Sequence, residues 1–287
     1  MTGRLARRAA AGYHRAMHDI APLIDASASL AEWDDLAAVE LVGCAAMAPL
    51  LIVCDHASNH VPAGLAGLGL PEAELARHIA WDIGAAIVAR HLAELLGATA
   101  VLSRVSRLVI DCNRPLDSET LICPVSDGTV VPGNRHLSDH AAMLRAQSCY
   151  HPYHAAIAAQ LERLERGGAV ASVVAIHSFT PALCDQAPRP WQVGVLWNRD
   201  SRLAAPVLDS LRARGDLCVG DNQPYSGRTT SHTLDTHGGA SGRPHVSFEL
   251  RQDEVADASA ARRWAALLAE VLTPILARPE MRRRAHF

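Results

Sequence analysis

Three short apolar runs constrain this chain more than any other feature. LLIVCDH (50–56), VVAIHSFTP (173–181) and HVSFELRQD (245–253) are rich in β-branched and aliphatic residues, and each breaks off into acids, imidazoles or amides. A continuous apolar run of this length suits a strand covered on both faces, as in a parallel sheet flanked by helices. Such a strand has no packing use for His56, His177 or Glu249. In an open α/β sheet, however, ligands and reacting groups gather at the C-terminal ends of strands. The bland reading of each polar residue is a side chain satisfied by a carbonyl or an arginine, so the case depends on several of them converging.

Between these runs the periodicity alternates. It predicts a helix over 72–96, with apolar positions at Leu75, Ile79, Ile83, Ile87 and Leu92, followed by strands at 98–106 and 107–113. The stretch 115–138 has little periodicity and is rich in Gly, Pro, Asp and Ser. An amphipathic helix over 152–166 stops at Gly167 and Gly168. Strands follow at 170–177 and 192–197, a helix at 202–213, strands at 217–220 and 245–250, and a last helix over 255–276. This order predicts a three-layer α/β/α protein with a mixed central sheet. Residues 1–34 read as an arginine-rich, helical N-terminal extension without the apolar core of a secretory signal. Residues 35–287 read as a single domain, with no repeat and no low-complexity segment.

Composition narrows the function. A net charge of -3 and a pI near 6.6 give no basic face for nucleic acid, and no apolar run reaches the ~18 residues of a membrane span. All 27 basic residues are arginine, which removes a Schiff-base lysine and a phosphate-loop lysine. The 7 cysteines form no CxxC pair and several sit in apolar runs, as expected of reduced thiols in a cytoplasmic protein. Cys54 beside His56 keeps a thiol-nucleophile amidase as an alternative.

Four predicted strand ends carry the polar groups: Cys54-Asp55-His56-Ala57-Ser58-Asn59, Asp111-Cys112-Asn113-Arg114, His177, and Glu249 with Arg251. Two imidazoles, two or three carboxylates and an Asn-Arg pair at one sheet edge would form a hydrolytic metal site. Asp82 falls on the apolar face of the predicted helix 72–96, where a carboxylate must be paired or bound to a metal. A salt bridge to an arginine is the competing explanation.

IHSFTP, SFELRQD and IDCNRP resemble segments of zinc carboxypeptidases. The ordered set CDHASNHVP, HIAWDIGA, SRLVIDCNRP, PYH, HSFTP and FELRQD is more similar still to the N-formylglutamate amidohydrolase family, from about Leu50 to Asp253. The resemblance implies a zinc exopeptidase-like α/β fold and hydrolysis of an N-acyl amino acid, N-formyl-L-glutamate being the leading candidate in amino-acid catabolism. It implies one zinc ion per chain held by His56 and His177, with Glu249 as general base. The third ligand is open between Asn59, which aligns with the glutamate of a His-x-x-Glu pair, and Asp82. Asp82 is preferred for its charge, and WDIGAAIVARHLAELLGATAVLSR resembles the ligand-bearing helix of zinc-dependent cell-wall amidases. Arg114 with Asn113 would bind a substrate carboxylate, Arg107, Arg189 and Arg251 are further cations, of which Arg107 and Arg251 have bracing of the acids as an alternative, and His237 in LDTHGGASG is either a hydrogen-bond donor to the tetrahedral oxyanion or a plain surface histidine. The partner is then a small molecule, with no nucleic acid and no membrane; oligomeric state is not read from the sequence. The alternatives are a zinc carboxypeptidase or peptidoglycan-type amidase acting on a peptide, and a non-catalytic ligand-binding relative, against which Glu249 counts.

Overall fold

The computed structural model describes residues 37–184 and 186–287, so the expected N-terminal extension lies outside the described residues. Among the described residues, the strands are β1 (Val39–Val42), β2 (Leu50–Cys54), β3 (Thr99–Ser103), β4 (Val125–Ser126), β5 (Thr129–Val130), β6 (Ser172–Phe179), β7 (Val193–Leu196), β8 (Val219–Asp221) and β9 (His245–Arg251). The α-helices are α1 (Glu72–Leu75), α2 (Ala85–Leu96), α3 (Asp139–Arg145), α4 (His151–Glu165), α5 (Ala204–Ala213), α6 (His232–His237) and α7 (Ala258–Leu276). Seven strands form one mixed sheet in the order β1-β3-β2-β6-β9-β7-β8, while β4 and β5 make a separate hairpin. β3, β2, β6 and β9 are mutually parallel; β1 and β7 run antiparallel to their neighbours β3 and β9.

Alternation along each strand sorts its side chains into two layers. Ile52, Val174, Ile176 and Phe248 pack with Val88 and Leu92 of α2, Leu208 of α5 and Leu268 of α7. Leu51, Val53, Val173 and Ala175 face the other way, onto Tyr153, Ile157 and Leu161 of α4. The expected three-layer architecture is therefore present. No helix among the described residues is long and apolar enough to cross a membrane.

Two predicted elements differ from the expectation. The helix over 72–96 is α1 and α2 separated by a turn. Ala80 gives its carbonyl to Ser106 Oγ and Arg107 N–H, and Asp82 N–H donates to the His56 carbonyl, so these groups bond across the fold and not along a helix. Gly84 then takes φ 80°, and a Cβ there would collide with the Val255 carbonyl, so only glycine fits. The segment 107–113 is not a strand. Its polar backbone is satisfied from elsewhere: Asn134 donates to the Leu108 carbonyl (2.8 Å), Arg145 to that of Val109 (3.0 Å), and Asp111 N–H to that of Leu121 (2.8 Å). Buried apolar residues with side-chain bonding partners need no neighbouring strand.

The chain moves from β2 to β3 on one side and later places β6 on the other, so β2 and β6 flank a topological switch point. A crevice at the carboxyl ends of such strands is the usual ligand site of an open α/β sheet. His56 follows β2, while His177 and Glu249 lie side by side in register on β6 and β9.

Candidate metal and catalytic site

His56, Asp82 and His177 offer one ligand atom each within 4.8 Å of one another, and all three are buried. Asp82 Oδ2 lies 2.8 Å from His177 Nδ1 and 3.3 Å from His56 Nδ1. The far side of each imidazole meets another acid: His56 Nε2 is 2.7 Å from Asp111 Oδ1, and His177 Nε2 is 3.0 Å from Asp55 Oδ2. The arrangement is crossed, because Asp55 adjoins His56 in sequence yet contacts His177. Thr233 Oγ1 donates to the other oxygen of Asp55 (2.7 Å), and Arg107 Nη2 to the other oxygen of Asp111 (2.7 Å). Asp111 is thus hydrogen-bonded on both oxygens, while Asp55 is hydrogen-bonded by Thr233 on one and lies at ion-pair distance from His177 on the other.

The electrostatics follow from burial and from these contacts. Burial opposes ionisation of Asp55, yet His177, His56 and Thr233 bring its pKa down to about 2. Burial likewise opposes ionisation of Asp82 and Asp111, and the imidazoles, with Arg107 in the case of Asp111, hold both well below the carboxylate range. Burial works against protonated histidine, but Asp55 and Asp82 push His177 well above its ordinary value; Asp111 and Asp82 raise His56. Glu249 behaves differently. Burial pushes its carboxyl up to about 7, and Oε2 has no hydrogen-bond partner. A carboxylate poised near neutrality and free on one oxygen has the properties of a general base.

A cavity of about 150 Å³ is lined by His56, Asp82, His177 and Glu249 together with Arg107, Asn113, Arg114, Ser178, Tyr225 and Gln252. Its polar lining, not its size, marks the chemistry: a larger hollow of about 550 Å³ beside Val42, Ile87, Arg90 and Arg262 gathers no such cluster. Arg114 lines the cavity with no carboxylate in ion-pair contact among the described residues; it donates only to the Asn113 carbonyl and Thr120 Oγ1. Arg107 is committed to Asp111 and stands 3.6 Å from Asp82, so it braces the acids. Asn113 also lines the cavity, but its amide bonds the Thr230 carbonyl and Thr233 N–H, tying the start of α6 to the site. Arg251 pairs with Asp253 and Glu254. Asn59 donates its amide N–H to the Leu75 carbonyl at 2.9 Å and does not line the cavity.

The expected glycine-rich loop around His237 is in part α6, and His237 does not line the cavity. Its ring stacks on His154, with Nε2 2.9 Å from His154 Nδ1, while His154 Nε2 donates to the Cys112 carbonyl (3.0 Å). A neutral His154 that donates through Nε2 must accept at Nδ1. Asp55 and Asp111, which the sequence places only among the converging acids, are the residues behind the two imidazoles. Tyr225 lines the cavity from a loop with no distinguishing sequence pattern.

The layers and the crevice define an enzyme of the open-sheet α/β class, with its polar groups at the carboxyl ends of parallel strands. Comparison with known proteins gives the family. A family model described as N-formylglutamate amidohydrolase matches residues 48–256, and the chain belongs to that family, as a hydrolase acting on an amide bond of a small molecule. The crystal structure of gene product Atu2144 from Agrobacterium tumefaciens is similar at 35% identity and TM-score 0.81, over 84% of this chain and 96% of that one. An N-formylglutamate amidohydrolase from Ralstonia eutropha shares the fold at 19% identity and TM-score 0.55, over 83% of this chain and 99% of its own. No curated protein matches the chain in sequence.

Proposed function

We propose that this protein is a zinc-dependent amidohydrolase that removes the acyl group of an N-acyl amino acid, with N-formyl-L-glutamate as substrate. One observation carries the reading: two imidazole Nδ1 atoms and a carboxylate face one another, each imidazole is backed by its own acid, and Glu249 in the same cavity has Oε2 without a hydrogen-bond partner. The donor set fits zinc. Two nitrogens and one oxygen are the usual ligands of a catalytic zinc, and a carboxylate on the far ring nitrogen is the usual support of a ligating histidine.

His56, Asp82 and His177 would hold the ion, and Asp111 and Asp55 orient the two rings. When bound, zinc supplies a Lewis acid that polarises the acyl carbonyl and lowers the pKa of water. Glu249 takes a proton from the attacking water and passes it to the leaving amine nitrogen. Arg114 offers its planar fork to the substrate α-carboxylate. Asn113 shapes this wall through its bonds to Thr230 and Thr233. The 7 cysteines are all free, which supports a cytoplasmic setting, and the burial of Cys54 pushes its thiol well above its ordinary value, which disfavours a thiolate nucleophile.

Metal analysis of the purified protein, joined to a deacylation screen, tests the proposal. About one zinc per chain is expected, with activity lost on chelation and N-formylglutamate preferred over N-formylglutamine and N-acetylglutamate. Activity that survives complete metal removal overturns the zinc. Equal rates on all three substrates leave an N-acyl amino acid hydrolase and remove the formylglutamate assignment.

A further inference from the structure

Tyr225 lines the cavity with Glu249, His56 and His177. The loop that carries it, 222–230, lies against the sheet at Gly194, which stands opposite Glu249 in the β7–β9 register. A Cβ on Gly194 would collide with the Gln223 carbonyl, so the missing side chain lets this loop settle beside Glu249. Tyr225 thus shares the wall of this cavity with Glu249 and Arg107.

Arg189 holds this ring. Its Nη1 donates to Tyr225 Oη at 3.0 Å and to the Thr180 carbonyl at 3.3 Å. The guanidinium carbon lies 5.0 Å from the Tyr225 ring centroid and 5.7 Å from that of Phe179. Among the described residues, Arg189 has no ion pair. Because the phenol oxygen accepts from a cation, its own proton is left to donate, and the cation strengthens that donation. No group among the described residues accepts it. His237, the donor expected from the sequence, is away from the cavity.

We propose that Tyr225 is a further catalytic residue of the hydrolysis, donating a hydrogen bond to the acyl oxygen as it gains charge, and that Arg189 is the residue that positions it. The inference rests on the amidohydrolase reading above. As the water oxygen bonds to the acyl carbon, the carbonyl π pair moves onto its oxygen and Glu249 takes the water's proton. The C–N bond then breaks as the amine receives that proton, and Tyr225 keeps its own throughout.

The test uses the full chain with zinc bound. Y225F should lower kcat by about 10²–10³-fold, the usual loss for one oxyanion donor. KM should stay within about threefold, since ground-state binding is untouched. Zinc content and thermal midpoint should not change, and a tetrahedral phosphonamidate analogue should lose affinity while glutamate does not. R189Q should lower kcat by about 10–100-fold through misplacement of the ring, with no further loss in the Y225F background. A Y225F kcat within about threefold of wild type overturns the assignment of Tyr225, and additive losses overturn that of Arg189. If Y225F fails to fold, R189Q carries the test: an unchanged kcat, or a loss matched by loss of zinc, overturns the proposal. A wild-type protein inactive on every N-acyl amino acid overturns the amidohydrolase reading and the Tyr225 role with it, a result distinct from an active wild type with an active Y225F.

Discussion

Asp55 and Asp111 carry as much of the site as the residues that face each other in it. Each fixes one imidazole by its Nε2 and so aims Nδ1 at Asp82. Removing such an outer acid usually costs about 10–100-fold in metal affinity. D55N and D111N should each show that loss in a competition titration against a chromogenic chelator, and H177A should abolish binding. An unchanged affinity in D111N would show that Asp111 does not hold His56 in place. Glu249 carries the complementary prediction. E249Q keeps shape and loses the base, so zinc should remain while kcat falls by about 10²–10⁴-fold. An undiminished kcat with a good substrate sinks the assignment.

At the scale of elements, α4 meets α6 through a stack of histidines. Burial brings His154 and His237 down to about 4, and their neighbours include His232, His151, Asp55 and Arg243. Both are bases depressed below an unfolded value near 6.5. Above about pH 6.5 neither state holds the proton and there is no penalty. As pH falls towards about 4 the unfolded chain gains a proton that the folded chain refuses, so stability falls, and below that the penalty is constant. Between pH 7 and 5 the penalty is about 2 kcal/mol for each group. Denaturant unfolding of metal-free protein at both pH values should show a smaller loss for H237N than for wild type. Equal losses would mean that His237 titrates normally in the folded state.

The whole molecule supplies the cavity that no single element contains. Its floor groups come from the ends of β2, β6 and β9, and its walls from 107–114 and from the loop before α6. Among the described residues, Arg114 is the cation on those walls with no carboxylate in ion-pair contact, which supports the proposal that it receives a substrate acid. R114A should cut kcat/KM for the free acid by about 10²-fold or more, as expected when a charge-assisted pair of about 3 kcal/mol is removed. It should hardly alter the already poor α-carboxamide substrate, because the double change removes a single interaction. Equal losses on acid and amide would place the carboxylate elsewhere.

His56, His177 and Glu249 were legible in the sequence because a buried strand that ends in an imidazole or an acid contradicts its own hydrophobic pattern, and the contradiction is local. The parallel strands and α2, α4, α5 and α7 were legible for the same reason, since period and length are properties of a short window. The break between α1 and α2 was not, because both pieces share the helical period and what interrupts them is hydrogen bonding to residues over 20 positions away, at His56 and Ser106. The crossing of Asp55 to His177, the place of His237 in α6 and the presence of Tyr225 in the cavity that Glu249 lines depend on where distant segments meet. Sequence determined which chemical groups the chain possesses and which strand ends present them. Tertiary packing decided which of them face one another, because that is set by layers closing over the sheet and not by any local periodicity.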